Sequence, residues 1–292
     1  MITIFTPTYN RKALLQELKK SLDKQSDIDF EWIIIDDGSI DDTDQEVNQW
    51  TKNTKYPIRY YNQKNSGKHI AFNKAVEMAN GDIFICVDSD DQLIQNAIEK
   101  IKSGFQKASL TDIGVVSPRI DKYGITNDNW KRIDFQRVDI IDLKEVYGIV
   151  ESAVAIRTNI LKKKEPFVKF GNEKFLPEGW LYLDLCNQGK FLVNSDGYYV
   201  SEYQETGLTK NLWKHWKNNC HGVLATLQKK YEVSKKYGFL RREIIQTKTI
   251  LNIGSLCFAA SINMFENTPS KIRSLIFFVP AWIVYKMRYK NT

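Results

Sequence analysis

Apolar and polar positions alternate in blocks along the amino-terminal part of the chain. Short runs rich in isoleucine, valine and aromatic residues are separated by segments with the spacing of amphipathic helices. Such runs are typical of strands buried on both faces, and their alternation with helices predicts βαβ units and a parallel sheet. The predicted strands cover residues 2–5, 32–35, 58–61, 83–87, 113–117 and 154–156.

A polar cluster follows each of the first four runs. The clusters are Thr6–Asn10, Asp36–Ser39, Asn65–His69 and Asp88–Asp91. An open α/β sheet binds its ligands at the carboxyl ends of its strands. The four clusters are therefore expected to form one pocket.

The fourth cluster is the most informative, because Asp88, Asp90 and Asp91 place three carboxylates within four positions. Like charges this close are unfavourable unless a cation neutralises them, and Mg²⁺ or Mn²⁺ prefers carboxylate oxygens together with substrate phosphates. The cluster predicts a metal–diphosphate site. The alternative is an Asp-rich turn that caps a helix beginning near Leu93.

The segments TPTYNR, IIIDDGS, NSGKHIAFNKA and VDSDD, in this order, resemble the family 2 glycosyltransferases of GT-A fold over the first 210 residues. The resemblance implies an α/β, Rossmann-like fold with a mostly parallel sheet flanked by helices. It also implies a UDP-sugar donor, an Mn²⁺ or Mg²⁺ cofactor, and Asp90 as metal ligand with Asp91 as the alternative. The donor-binding residues that it implies are Thr6, Tyr9, Asp37, Lys68, Asp88 and Ser89.

An inverting transfer needs a carboxylate to accept the proton of the acceptor hydroxyl. The resemblance indicates Glu178, at the start of a helix predicted over 180–185, with Asp184 as the alternative. Residues 199–209 resemble the segment that closes the family's catalytic domain. The QxxRW signature of processive synthases is missing, which favours the addition of a single sugar.

Charge divides the 292 residues into two parts. Residues 1–210 hold 28 Lys and Arg against 32 Asp and Glu, whereas residues 211–292 hold 14 against 3 and are rich in aromatic residues. We therefore predict a catalytic domain over 1–210 and a basic, helical, membrane-associating region over 211–292.

The last apolar run, Leu275–Tyr285, has eleven residues and contains a proline. Crossing a bilayer takes about 20 residues, so we predict an interfacial anchor on an anionic membrane surface. The alternative is that this strip packs against the core of the protein, or against a second chain in a homo-oligomer.

Other classes of protein are disfavoured. No nucleic-acid-binding motif accompanies the basic charge, and the four cysteines form neither a zinc pattern nor a disulfide framework. The first strand begins at once, without a signal peptide, which predicts a cytoplasmic protein that is peripheral on the inner face of the membrane.

These observations together predict a metal-dependent, inverting glycosyltransferase of the hexosyltransferase class. The resemblance implies that its acceptor is a polyprenyl-diphosphate-linked glycan in bacterial capsule, exopolysaccharide or teichoic-acid synthesis. The alternative is a catalytically inactive nucleotide-sugar-binding or scaffold protein of the same fold.

Overall fold

The computed structural model describes residues 1–126, 129–130, 133, 136–201 and 211–290. The chain forms two compact units. The first unit is Met1–Phe167 with Asp184–Tyr203, and the second unit is Val168–Leu183 with Gln204–Thr292. The segment Val168–Leu183 thus belongs to the second unit, while the sequence-based division at residue 210 stays a prediction.

Strands and helices alternate through the first unit, as the apolar pattern predicts. The strands are β1 Ile2–Thr8, β2 Phe30–Asp36, β3 Ile58–Asn62, β4 Ile83–Cys86, β5 Gln92–Leu93, β6 Asp112–Ile120, β7 Arg137–Val138, β8 Ser152–Arg157, β9 Lys190–Val193 and β10 Tyr199–Val200. The α-helices in the described part of the chain are α1 Lys12–Asp23, α2 Thr43–Trp50, α3 Lys68–Met78, α4 Ala97–Lys107, α5 Ile140–Glu145, α6 Thr158–Lys163, α7 Gly179–Leu185, α8 Leu212–Asn218, α9 Cys220–Val233, α10 Phe239–Ala260, α11 Lys271–Ile276 and α12 Phe278–Tyr289.

The sheet has the strand order β3-β2-β1-β4-β8-β6-β10-β5, with β9 beside β6 and β7 beside β9. Strands β3, β2, β1 and β4 are parallel, while β8 runs antiparallel between β4 and β6. Thr8 lies beside Asp36, and Asp36 lies beside Asn62. The carboxyl ends of these strands therefore meet at one edge, which confirms the predicted α/β fold with a mostly parallel sheet.

One predicted boundary is wrong. The helix expected to begin near Leu93 starts later, because Gln92 and Leu93 form β5 and pair antiparallel with β10. Helix α4 begins only at Ala97. The pairing with β10 keeps residues 92–93 extended, so the aspartates of the fourth cluster do not cap a helix.

The amino ends of the strands are held by the buried carboxylate of Glu31. It accepts hydrogen bonds from the Thr3 hydroxyl at 2.7 Å and the Asn80 amide at 2.6 Å, and it forms an ion pair with Arg59 at 3.1 Å. Gly81 approaches β1 so closely that a Cβ atom there would lie 2.6 Å from the Thr3 nitrogen. The polar groups at this end of the sheet are bonded to one another, so a ligand is expected at the opposite, carboxyl end.

The second unit has a core of its own, built from α9, α10 and α12. A Cβ atom at Gly254 of α10 would lie only 2.6 Å from Ala281 Cβ of α12, so these helices pack in close contact. The fully or nearly fully buried core residues include Val223, Leu224, Ile250, Ile253, Leu256, Ala281 and Tyr289. The apolar strip Leu275–Tyr285 is thus partly a packing surface.

Helix α10 is the longest in the described part of the chain, with 22 residues. Across the described residues, no helix combines the length and apolar character that a membrane crossing requires.

Candidate active site

The first two polar clusters are joined by hydrogen bonds between their turns. The Asn10 amide donates to Ser39 Oγ at 2.8 Å, and the Asn10 side-chain oxygen accepts from the Ile40 amide at 2.9 Å. Asp36 accepts from the Ser39 amide at 2.8 Å and from the Tyr60 hydroxyl at 2.6 Å. The ends of β1, β2 and β3 are therefore held as one surface.

Asp37 organises the third cluster. Its buried carboxylate accepts hydrogen bonds from Gln63 Nε2 at 2.8 Å, from the Ser66 amide at 2.7 Å and from the Gly67 amide at 2.8 Å. A carboxylate has about four lone-pair positions. Asp37 can therefore fix the loop that leads into α3 and still accept one further donor.

The carboxylates that follow β4 are paired with cations from distant parts of the first unit. Lys68, at the start of α3, lies 2.6 Å from Asp88 Oδ1. Arg11, which precedes α1, lies 3.0 Å from Asp90 Oδ1. Desolvation acts to raise the pKa of Asp88, but the charges of Lys68 and Arg119 outweigh it, so this pKa lies below its usual range.

Asp91 points into the protein and contacts two side chains from the far half of the sheet. The Tyr199 hydroxyl donates to Asp91 Oδ2 at 2.7 Å and accepts from the Asp88 amide at 3.0 Å. Arg119 Nη1 lies 3.3 Å from the same carboxylate oxygen, and its guanidinium covers the Tyr199 ring at 4.2 Å. Burial, together with the charge of Asp88, raises the pKa of Asp91 to about 7.

The remaining donor-binding predictions differ in exposure. Tyr9 is 48% exposed at the end of β1, whereas Thr6 is fully buried and its hydroxyl accepts from the Trp32 indole at 2.9 Å. Ser89 is 1% exposed, and its hydroxyl has no hydrogen-bond partner, as is also true of the Thr8 hydroxyl. The structure thus gathers Tyr9, Asp37 and the Asp88–Asp91 turn at neighbouring strand ends and places the Thr6 side chain in the core.

The two candidates for the general base have different surroundings. Glu178 is exposed in the second unit, and its carbonyl accepts from the Leu181 amide at 3.0 Å in the first turn of α7. Asp184 belongs to the first unit, where its carboxylate lies 3.8 Å from Lys164 Nζ. Of the motif at residues 199–209, only residues 199–201 lie within the described part of the chain.

The sequence analysis gave no role to three residues that contact the carboxylates, namely Arg11, Arg119 and Tyr199, although Tyr199 begins the segment 199–209 that it singled out. Arg11 stands within the segment TPTYNR, so its position beside the first cluster was a usable signal. Arg119 and Tyr199 lie on β6 and β10, far from Asp91 along the chain. No local pattern connects them, because only the order of strands in the sheet brings them together.

The residues present fit a divalent cation. Asp88 and Asp90 offer hard carboxylate oxygens, the donors that Mg²⁺ and Mn²⁺ prefer. Their side chains keep 26% and 17% exposure, so both remain accessible. The unpartnered Ser89 hydroxyl between them is a further buried polar atom that a bound ligand or water could satisfy.

A family model described as Glycosyl transferase family 2 matches residues 3–176. This match spans more than half of the chain, and the protein therefore belongs to glycosyl transferase family 2. It has an α/β fold of the GT-A type.

Curated relatives match over different lengths. The chain is 37% identical over 101 residues to an abequosyltransferase of Salmonella typhimurium, covering 34% of this chain and 30% of the relative. It spans only 30% to 40% of the length of the first such relatives. A GalNAc(5)-diNAcBac-PP-undecaprenol beta-1,3-glucosyltransferase of Campylobacter jejuni is 22% identical over 311 residues, with 98% and 96% of the two chains covered.

Two solved structures share the fold. Staphylococcus aureus TarS 1-349 in complex with UDP-GlcNAc superposes with a TM-score of 0.60 at 18% identity, covering 99% of this chain and 90% of that one. A Pyrobaculum calidifontis mannosyltransferase in complex with GDP-Man and Mn²⁺ gives a TM-score of 0.57 at 15% identity, covering 99% and 82%.

The pKa of Asp91 leads to a prediction about stability. Because this pKa is raised in the folded state, the folded protein binds more protons than the unfolded chain between about pH 4 and pH 7, and stability falls as the pH rises through this range. Relative to Asp91→Asn, the metal-free wild type should lose about 2–3 kcal/mol of unfolding free energy between pH 5 and pH 8. Urea denaturation of both proteins in EDTA measures this difference, and a difference that does not change with pH would contradict the assignment.

Proposed function

We propose that this protein is a metal-dependent, inverting glycosyltransferase that moves one sugar from a UDP-sugar to a lipid-linked glycan acceptor in bacterial cell-surface polysaccharide synthesis. The observation that carries the proposal is the arrangement of Asp88 and Asp90 beside Tyr9 and Asp37 at the carboxyl ends of adjacent parallel strands. Membership of the family supports the reaction class. The UDP-GlcNAc complex of TarS and the undecaprenol-linked substrate named for the Campylobacter relative support the choice of donor and acceptor.

Three residues of the first unit are assigned to different parts of the donor. Tyr9 offers an exposed ring on which a base can stack. Asp37 offers its remaining lone pair to a uracil or ribose donor, and Lys68 offers an ammonium group to the diphosphate. The negative charge of the diphosphate is offset by a divalent cation, so donor and metal together leave the charge balance of the site unchanged.

Asp90 is our first choice for the metal ligand, since Asp91 is engaged by Tyr199 and Arg119. A divalent ion at Asp90 would supply Lewis-acid stabilisation of the departing nucleoside diphosphate. Arg11 must then release Asp90. Its guanidinium, still at the edge of the site, becomes available to a phosphate oxygen.

The metal assignment is tested with Asp90→Ala. Loss of the ligand should abolish transfer and weaken UDP binding in Mn²⁺ by at least about tenfold, because the diphosphate loses its bridging cation. Calorimetric titration of UDP with Mn²⁺ or EDTA measures the effect. Asp82→Ala is the matched control, because Asp82 precedes the same strand at its opposite end and its side chain is 91% exposed. Wild-type UDP binding that EDTA leaves unchanged would refute the assignment.

Glu178 is our candidate for the general base. Its side chain is exposed at the start of α7, so an acceptor can approach it from solvent. The base accepts the hydroxyl proton while the acceptor oxygen attacks the anomeric carbon on the face opposite the departing diphosphate. Inversion of the anomeric configuration follows from this single displacement.

Glu178→Gln separates the base from donor binding. The variant keeps the shape of the side chain but cannot accept the proton, so turnover should fall about 10²-fold or more while the Kd for UDP stays within about twofold. Full turnover in Glu178→Gln, with the loss appearing in Asp184→Asn, would transfer the role to Asp184. Wild-type protein that binds UDP but turns over no donor–acceptor pair would favour the inactive binding protein.

The acceptor proposal depends on the second unit, where α11 and α12 have two apolar faces. One face packs on α10, as described above. The other is exposed, although its side chains are as apolar as those of the core. The exposed residues, between 49% and 79% accessible, are Ile272, Leu275, Ile276, Val279, Ile283 and Met287.

The first turns of α10 extend this exposed surface. Arg273 of α11 binds Glu243 of α10 through two contacts of 2.6 and 2.7 Å, which places these segments side by side. Phe239 and Leu240 of α10 are 72% and 73% exposed. Apolar side chains surrounded by the basic charge of residues 211–292 favour contact with an anionic bilayer, where a lipid-linked acceptor would be found.

A flotation experiment tests the membrane proposal. Full-length protein should float with anionic vesicles, and high salt should release it only in part, because salt screens charge but not apolar insertion. The triple variant Leu275→Gln, Val279→Gln and Met287→Gln should reduce association at least about tenfold, since it removes apolar insertion and leaves the α10 contact intact. The control triple is Ile40→Gln, Leu110→Gln and Ile125→Gln, at exposed positions of the first unit. Absence of wild-type flotation would refute the proposal.

A further inference from the structure

The second unit contains a cluster of three side chains that commonly bind transition metals. Glu173 lies in the segment before α7, and Cys220 and His221 are the first two residues of α9. Their candidate ligand atoms all lie within 4.8 Å of one another. His221 Nδ1 is 2.8 Å from Glu173 Oε1 and 3.7 Å from Cys220 Sγ.

Backbone contacts hold this cluster in position. The Glu173 carboxylate accepts hydrogen bonds from the His221 amide at 2.9 Å and the Gly222 amide at 2.8 Å. The Asn219 side-chain oxygen accepts from the Lys174 amide at 2.9 Å. A Cβ atom at Gly222 would lie 3.3 Å from Glu173 Oε2, so the absence of a side chain there permits the close approach.

We propose that Glu173, Cys220 and His221 bind a divalent transition metal, with Zn²⁺ preferred. Thiolate, imidazole and carboxylate together suit Zn²⁺, whereas Mg²⁺ and Mn²⁺ prefer oxygen ligands alone. The set differs from the all-oxygen carboxylates that follow β4. Coordination releases the Cys220 thiol proton to solvent, and His221 binds through Nδ1 with its proton on Nε2.

The distance between the Cys220 sulfur and His221 Nδ1 suits a tetrahedral ion. A Zn–S bond of about 2.3 Å and a Zn–N bond of about 2.0 Å at the tetrahedral angle separate sulfur and nitrogen by about 3.5 Å, close to the observed 3.7 Å. The nitrogen and the carboxylate oxygen would be about 3.4 Å apart, so their 2.8 Å hydrogen bond must open by about 0.6 Å. Rotation of the exposed His221 ring provides this change.

A metal can reach the cluster from solvent. An open cavity of about 750 Å³ is lined by Glu173, His221, Asn172 and Asn218, among others. The His221 side chain is 72% exposed, and that of Glu173 is 12% exposed. The three protein ligands leave the fourth coordination position to a water molecule from this cavity.

The alternative is that Glu173 only caps the amino terminus of α9, for which its two amide contacts suffice. A cap does not require an imidazole and a thiol beside the same carboxylate. The metal would join the segment before α7 to the first turn of α9 as a clamp within the second unit. This role is independent of the proposed transferase reaction.

Cobalt titration distinguishes the two interpretations. Full-length Asp90→Ala protein, stripped with EDTA, is titrated with Co²⁺, so that the predicted donor-metal site does not compete. One equivalent of Co²⁺ should produce a thiolate-to-cobalt charge-transfer band and the visible bands of tetrahedral Co²⁺, and Zn²⁺ should remove both. Cys220→Ser should abolish the charge-transfer band, and His221→Ala should weaken binding at least about tenfold. Cys186→Ser, which removes a buried thiol elsewhere, should leave the titration unchanged.

A second measurement needs no variant in the cluster. Zn²⁺ should protect Cys220 from alkylation at least about tenfold, with the modified residue identified by mass spectrometry of the intact wild-type chain. Absence of both the cobalt band and the protection would overturn the proposal and leave Glu173 as a helix cap. A charge-transfer band of full strength in a folded Cys220→Ser protein would also overturn it.

Discussion

The active-site end of the first unit depends on the neutralisation of three carboxylates that lie within four positions. Asp88, Asp90 and Asp91 could not remain close together at the end of a buried strand without compensating charge. Lys68, Arg11 and Arg119 each supply one cation, and each comes from a different part of the first unit. In the donor complex that we propose, the charge of the divalent metal would offset that of the diphosphate and keep this balance.

The two ends of the sheet differ in how their polar groups are bonded, and this difference leaves the carboxylates at one end accessible. At the amino ends, Glu31 binds Thr3, Asn80 and Arg59, and Gly81 packs closely against β1. The polar groups at this end are therefore paired within the protein. At the carboxyl ends, Asp36 and Asp37 hold the connecting turns but leave Tyr9 exposed and one lone-pair position of Asp37 open. A parallel arrangement is essential, because it alone brings the ends of β1, β2, β3 and β4 to one edge.

Helices α11 and α12 of the second unit carry more apolar surface than the core of that unit buries. Packing of Ala281 against Gly254 uses one face of α12. The opposite face remains exposed beside basic residues, and we propose that it contacts a bilayer surface. The two alternatives weighed from the sequence, packing and membrane contact, are therefore compatible, because they use different faces of the same helices.

Local sequence determined the strands β1 to β4, β6 and β8, the mostly parallel class of fold and the polar clusters at the strand ends, because apolar runs and turn residues act over a few positions. It also pointed to Tyr9, whose exposure only the structure shows, and to the carboxylates after β4. It could not assign Asp91 its partners, since Tyr199 and Arg119 reach it only through the order of strands in the sheet. Nor could it show that Leu93 joins β10 instead of beginning a helix. Pairing between distant segments decided these features, because its free energy depends on which strands become neighbours and not on the residues beside each position.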